Sequence, residues 1–353
     1  MTPARENAKK ARVRAPIFSL GLAAIGLLTA CAGSSQEGET PVGRTVDNER
    51  EAAEAKATGA APADGPVAAA VPDDIVARQA ADLSGYRTGD GTALGFDTMM
   101  THLASADAIC IGERHDDAGD HFAQLRMVEA LLDRRALRGF ELGIGLEMVR
   151  QPYQPVLQRY IEGGVSDATL VGELNFDSEW GFSFSYYQPI FRQALVRFGS
   201  LVAFGVPKDV TREVAEKGLE GINPNQRRSL PELDLDVPGH RAVFDSMMTL
   251  HPGTEQSDVL DRYYQAQVVW DESMAARAAA WLSQRYPGRK LVILAGAAHC
   301  HPSAIPARIR RRAAFTVVSV LPRAKSDGAD PARDLLVREY EYHILREQGA
   351  KAP

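Results

Sequence analysis

The sequence predicts an α/β fold with a mostly parallel central sheet flanked by helices and a helical lobe inserted. Three observations carry that expectation. Short, continuously apolar runs recur along the chain, stretches with helical spacing separate them, and several runs end directly in glycine, glutamate or histidine. Continuous apolar runs suit strands buried on both faces, as in parallel sheets; half-solvated strands alternate instead.

The N-terminus reads as an export signal over residues 1–30. Arg5, Lys9, Lys10, Arg12 and Arg14 form a basic segment, Ile17 to Leu28 is a short apolar run, and Leu28-Thr29-Ala30-Cys31 has the pattern of a bacterial lipobox. Basic residues stay on the cytoplasmic side, the apolar run enters the membrane, and small residues fit the peptidase. A run of 12 residues is short for a membrane span. Cys31 is therefore the expected lipidation site, holding the protein to the cell envelope through several acyl chains. Ala32 follows it, with no aspartate to retain the protein at the inner membrane, which favours the outer membrane.

Removal of that segment takes five basic residues and Glu6, so the formal net charge moves from −6 to −10. An acidic chain is poorly suited to nucleic acid, whose binding depends on neutralising phosphates. Of the three cysteines, Cys31 is assigned to lipid. Cys110 and Cys300 are able to pair in an oxidising compartment, and the spacing does not decide whether they do. Cys300-His301 lacks the upstream cysteine of a c-type haem attachment motif.

Residues 31–72, after the lipidated cysteine, are rich in Ala, Gly, Pro, Ser and Glu without helical or strand period. This composition predicts a disordered tether. One domain is expected over 73–322, with 151–285 mostly helical, and a tail over 323–353 holds a last strand candidate around Leu335 to Tyr342. The strand candidates within the domain are Ala108 to Ile111, Ile144 to Leu146, Leu201 to Phe204, Leu291 to Leu294 and Val317 to Val320. A helix from about His121 sets Phe122, Leu125, Val128 and Leu132 on one face, with Asp117 or Asp120 as its cap. The longest candidate helix, Val259 to Arg285, repeats Val259, Tyr263, Ala266, Trp270, Met274, Ala278 and Trp281 at three or four residues, as a core-facing stripe does.

The chemistry lies where the runs end. The first passes into Gly112-Glu113-Arg114-His115, the second into Glu147-Met148, and the fourth into Gly296-Ala297-Ala298-His299. Loops beyond the carboxyl ends of parallel strands line the ligand crevice. Glu113, His115, Glu147 and His299 are thus expected at one sheet edge, with Lys208, after Pro207, as an additional member. These residue types suit a divalent metal, held by His115, His299 and Glu113. They equally suit acid–base catalysis, and a histidine or tyrosine suits haem iron. His121 opens a helix leading from this region and His301 is expected to be exposed. His102, His240, His251 and His343 sit in no recognised motif. Walker, G-x-S-x-G, H-E-x-x-H and zinc-ribbon patterns are absent from the sequence.

Five ordered motifs resemble the ChaN-like family of haem-binding uptake lipoproteins in the Tiki superfamily. They are Gly112-Glu113-Arg114-His115-Asp116 with Gln124-Leu125, Gly145-Leu146-Glu147-Met148, Trp180-Gly181 with Tyr187, Trp270-Asp271-Glu272-Ser273-Met274-Ala275, and Gly296-Ala297-Ala298-His299. The resemblance spans about Asp73 to Val320. It implies haem or an iron-containing small molecule as ligand and a role in iron acquisition. It adds Asp271, Tyr187 and Tyr153 as further site candidates, the two tyrosines as candidates for haem coordination. Relatives in the superfamily include metal-dependent proteases and erythromycin-esterase-like hydrolases, so a metal-dependent hydrolase using the same residues is the alternative. Where many members carry adjacent histidines, this chain has Asp120-His121. The sequence leaves the oligomeric state open.

Overall fold

A computed structural model describes residues 83–87, 91–249, 256–284, 288–324 and 339–346. The expected signal peptide, Cys31 and the tether lie outside the described residues. Among the described residues no helix is long and apolar enough to cross a membrane.

Among the described residues eight strands form one sheet: β1 (Leu83–Arg87), β2 (Thr92–Gly95), β3 (Ala108–Glu113), β4 (Glu141–Arg150), β5 (Ser200–Gly205), β6 (Arg289–Gly296), β7 (Val317–Ala324) and β8 (Tyr342–Arg346). Their order is β2-β1-β8-β7-β3-β6-β4-β5. The six strands from β8 to β5 are mutually parallel, and the β1–β2 hairpin joins β8 antiparallel. The last strand falls later than Leu335 to Tyr342. Residues 335–338 lie outside the described residues, and β8 pairs parallel with β7 and antiparallel with β1, with His343, Ile344 and Arg346 buried.

Side-chain parity along the strands divides the core in two. Ile109 and Ile111, Ile144 and Leu146, and Val292 and Leu294 face one layer. Ala108 and Cys110, Val202 and Phe204, and Ile293 and Ala295 face the other. Successive strand residues point to opposite faces, so an all-apolar run is required to cover both sides.

The first face carries α1 (Phe96–Leu103) and α2 (Ala118–Arg138). Asp117 caps α2 by accepting from the Gly119 and Asp120 amides at 2.8 and 3.0 Å, and Gly139 ends it in the left-handed region at φ 70°. The same layer holds α3 (Gln154–Ile161), α4 (Asp167–Leu174), α5 (Phe176–Trp180) and α6 (Gln188–Val196). After β5 the chain supplies α7 (Lys208–Lys217), α8 (Pro224–Ser229), α9 (His240–Met248) and α10 (Ser257–Leu282), followed beyond β6 by α11 (Ala297–Cys300) and α12 (Ile305–Arg312). Trp270, Met274 and Ala278 of α10, with Ile305 and Ile309 of α12, pack on the second face.

The helix expected over Val259 to Arg285 is α10, and Ala266, Trp270, Met274 and Ala278 of its expected stripe pack in the core, but burial is not confined to them. From Ala266 to Ala275 every residue is buried, because the sheet, α7 and α12 enclose it. Gln267, Asp271 and Glu272 are therefore buried polar groups that need partners. Glu272 finds Arg308, Arg311 and Arg312 of α12 at 3.3, 3.0 and 2.6 Å. Cys110 and Cys300 form a disulfide with their Cα atoms 5.2 Å apart, tying β3 to α11.

Candidate functional site

The site is built where three parallel strands end together. β3 and β4 flank β6, and Glu113 of β3 is in register with Gly296 of β6. Pairing of β4 with β6 stops at Leu146, and the register against β5 shifts beyond it, which frees Glu147 at the next position. β6 turns directly into α11, which carries His299.

Glu113 and His115 make the first couple. Glu113 Oε1 accepts from His115 Nδ1 at 2.8 Å and from the Tyr187 hydroxyl at 2.6 Å. The Tyr187 oxygen accepts in turn from the Trp180 indole at 3.1 Å. Burial pushes the Glu113 carboxyl upward, but the charge of His121 and the hydrogen bonds from His115 and Tyr187 prevail and bring it down to about 2. Burial also pulls the His115 imidazole down, and its bond to Glu113 with the Glu147 charge more than reverses this. Burial and the Glu113 charge lift the Tyr187 phenol well above its usual range, so its proton stays on.

His115 stands edge-on to Trp180, with ring centroids 4.8 Å apart, and 5.1 Å from Phe182. Gly296 also adjoins the ring. A Cβ there would lie 3.0 Å from His115 Cε1 and Nε2, so glycine is what lets the ring approach the end of β6.

Glu147 and His299 make the second couple. Glu147 Oε2 accepts the Gly296 amide at 2.7 Å, and Oε1 lies 3.3 Å from His299 Nε2. His299 Nδ1 donates to Asp271 Oδ1 at 2.6 Å, and Asp271 Oδ2 accepts from His240 Nε2 at 2.9 Å. Burial disfavours a charged His299, yet the flanking carboxylates of Glu147 and Asp271 dominate and raise it to about 10. Asp271, though buried, is held well below the usual carboxylate range by His299 and His240.

The structure thus brings Glu113, His115, Glu147 and His299 together, all nearly fully buried. Tyr187 joins through Glu113 and Asp271 through His299. Tyr153 is half-buried in the short turn Gln151–Tyr153 and packs against the first core layer. Lys208 stands at the start of α7, where its ammonium donates to the Ser178 carbonyl. His121 does not lead out of the site: its Nδ1 is 3.6 Å from Glu113 Oε2 and its ring stacks on Tyr186. His301, expected at the surface, is fully buried because α11 folds beneath Tyr340, ring centroids 5.9 Å apart.

His240 and Arg150 are additions that no sequence motif marked. Asp120 takes no ligand-like position: it accepts from Arg114 at 2.9 Å and lies 3.3 Å from Arg346. Among the described residues no group of three or more His, Cys, Asp or Glu is arranged to hold a metal ion. The proposed ligands have prior commitments. His299 faces a carboxylate at each ring nitrogen, and a metal there would have to displace a proton held to about pH 10.

Comparison with known proteins follows the same lines. A family pattern described as haem-binding uptake, Tiki superfamily, ChaN, matches residues 99–309, more than half of the chain. ChaN of Campylobacter jejuni, solved with cofacial haem binding, is similar in structure at a TM-score of 0.58 and 19% identity, covering 75% of this chain and 97% of that one. The type III effector HopBA1 is more distant, at a TM-score of 0.41 and 11% identity over 71% of this chain and 93% of its own. A mutant of the erythromycin esterase EreC, in its open conformation, gives 0.39 and 13% over 75% and 83%. No curated protein sequence gives a significant match. With its family pattern running from α1 into α12, across β3, β4 and β6, the chain belongs to the ChaN family of haem-binding uptake proteins in the Tiki superfamily.

Proposed function

We propose that this protein binds haem, or a related iron cofactor, at the carboxyl edge of β3, β4 and β6, as a lipoprotein of the cell envelope. The observation that carries the reading is the state of His115. Its Nδ1–H is held by Glu113, which leaves Nε2, beside Gly296, as the donor nitrogen of a ring that also packs against Trp180 and Phe182. A carboxylate on the far nitrogen orients an imidazole and raises its basicity toward a metal. Aromatic neighbours suit a porphyrin face. Tyr187 is less fit as a phenolate donor, because its proton is shared with Glu113. When bound, the iron would supply redox and ligand-exchange chemistry, and the chain's own residues hold and orient it. Family membership supports the same ligand.

The lipobox at Cys31 supports anchoring, and Ala32 after it supports the outer membrane as the destination. Titration of the purified protein with ferric haem tests the ligand. A saturable Soret shift is expected, weakened at least about tenfold, the cost of one coordinating contact, in His115→Ala. Absence of a saturable shift in the wild type overturns the reading.

A second reading, a metal-dependent hydrolase, is favoured by one feature. Glu147 Oε1 is buried, has no hydrogen-bond partner among the described residues and lies 3.3 Å from His299 Nε2, an arrangement that suits proton transfer. Stoichiometric divalent metal with hydrolytic turnover that Glu147→Gln abolishes would establish it in place of haem binding.

A further inference from the structure

Beside the histidine couples lies a group of buried donors, two of which have no acceptor among the described residues. Arg150, the last residue of β4, is 4% exposed. Its Nη2 donates to the Glu179 carbonyl at 2.9 Å, and its Nε lies 3.5 Å from Glu179 Oε2. Among the described residues, Nη1 is buried and has no acceptor. The guanidinium carbon stands 5.7 Å from the centre of the Trp270 ring, and the Trp270 indole N–H is likewise buried without an acceptor. Trp270 in turn packs edge-on to His299 with centroids 5.4 Å apart, so these donors adjoin the site.

Lys208 adds a second cation. Its ammonium donates to the carbonyl of Ser178, next to the carbonyl that Arg150 uses. Burial, followed by the charge of Arg150, lowers the Lys208 pKa, which means that each cation feels the other. The carboxylates nearby are limited. Glu179 is a quarter exposed at the rim, and Glu147, whose Oε2 accepts from Gly296, acts on Arg150 through its charge without a hydrogen bond to it among the described residues. Gly205 of β5 makes room for the arrangement, since a Cβ there would lie 3.1 Å from Arg150 Cδ and 2.5 Å from the Glu147 carbonyl.

Guanidinium, ammonium and indole offer protons and accept none. A buried donor left unpaired is costly, and two of them with a like-charged neighbour form a set that an anion completes. We propose that Arg150, Lys208 and Trp270 form an anion subsite that receives a carboxylate of the ligand bound beside His115. The identity of that carboxylate, a haem propionate, rests on the haem reading above; the anion chemistry does not. The carbonyl bonds to Ser178 and Glu179 hold the two cations in place against α5, which also positions Trp180 against His115.

The test uses the wild type, Lys208→Met, and Arg150→Met combined with Lys208→Met. Each is titrated with ferric haem and with its dimethyl ester, whose propionates are capped, and followed at the Soret band. The wild type is expected to prefer haem over the ester by about tenfold or more, as for one charge-assisted pair, and the double variant to bind both alike. Equal wild-type affinities, or a preference that survives both substitutions, overturn the subsite. Should the double variant not fold, Lys208→Met decides, since its side chain is half-exposed: a reduced preference supports the subsite and an unchanged one overturns it. If the wild type binds neither porphyrin, the haem reading fails by itself. Inorganic phosphate then decides the subsite. A saturable rise in Tm in the wild type and none in Lys208→Met supports it, and equal responses overturn it.

Discussion

The hydroxyl of Tyr187 lies 2.6 Å from Glu113 Oε1, joining a turn before α6 to the end of β3 across 74 residues of chain. One proton donor thereby fixes both the carboxylate and, through it, the His115 ring. Tyr187→Phe removes the donor and keeps the packing with Trp180 and Phe176. The expected loss is about 2 kcal/mol, the cost of depriving a buried charged acceptor of one bond. Thermal unfolding should show Tm lowered by roughly 4–8 °C for a domain of this size. An unchanged Tm would mean that this hydroxyl contributes nothing to holding the carboxylate.

The two couples impose opposite pH limits. His299 is raised to about 10, so its contribution to stability is complete below about pH 6.5 and is lost as pH rises through 10. Glu113 is lowered to about 2, so its contribution is complete above the ordinary value of 4.5 and is lost as pH falls through 2. NMR titration of the His299 ring should find it still protonated at about pH 8, below the raised value. Asp271→Asn should move that titration downward, because one of the two carboxylates is gone. A His299 ring that titrates near neutrality in the wild type would contradict the ion-paired arrangement.

Cys110–Cys300 closes a loop of 190 residues. Chain entropy gives such a link a stabilising effect of about 5 kcal/mol, and measured losses run roughly 2–5 kcal/mol. Cys110→Ala with Cys300→Ala should lower the urea midpoint accordingly, relative to the oxidised protein. Coincident midpoints would show that the link adds no stability.

Cys31→Ser tests the proposed anchor. The variant is expected to lose labelled palmitate and to leave the membrane fraction or persist as uncleaved precursor. Labelling equal to the wild type would remove Cys31 from consideration as the lipid carrier.

Much of the parallel sheet was legible because its interior strands are buried on both faces and so must be apolar without interruption, as in Ala108 to Ile111 and Leu291 to Leu294. The hairpin β1–β2 left no such trace, since an edge pair of five and four residues with an exposed outer strand needs no apolar run. Glu113, Glu147 and His299 were visible as polar residues at run ends. His240 was not, because its bond to Asp271 exists only once α9 has docked on α10. Arg150 was hidden by position: it closes a strand whose preceding residues are apolar, and nothing local says that its guanidinium lies over Trp270. The stripe of α10 does pack in the core, as its spacing implied, but the spacing gave no sign that Gln267, Asp271 and Glu272 between its members are buried as well.

The place of β8 has a consequence for how the chain is made. It lies between β7 and β1, pairing Leu83 with Arg346, so the first and last strands among the described residues are neighbours. A nascent chain emerging N-terminus first presents β1 and β2 long before the strand that will seat them exists. Until then β7 is a temporary border with an unpaired hydrogen-bonding row, the kind of surface that recruits foreign strands. Such distant pairing makes closure of the sheet a late and slow event. A ribosome that stops short of Tyr342 would release a molecule whose β3, β4 and β6 are all present and whose flank stays open, at risk of aggregating.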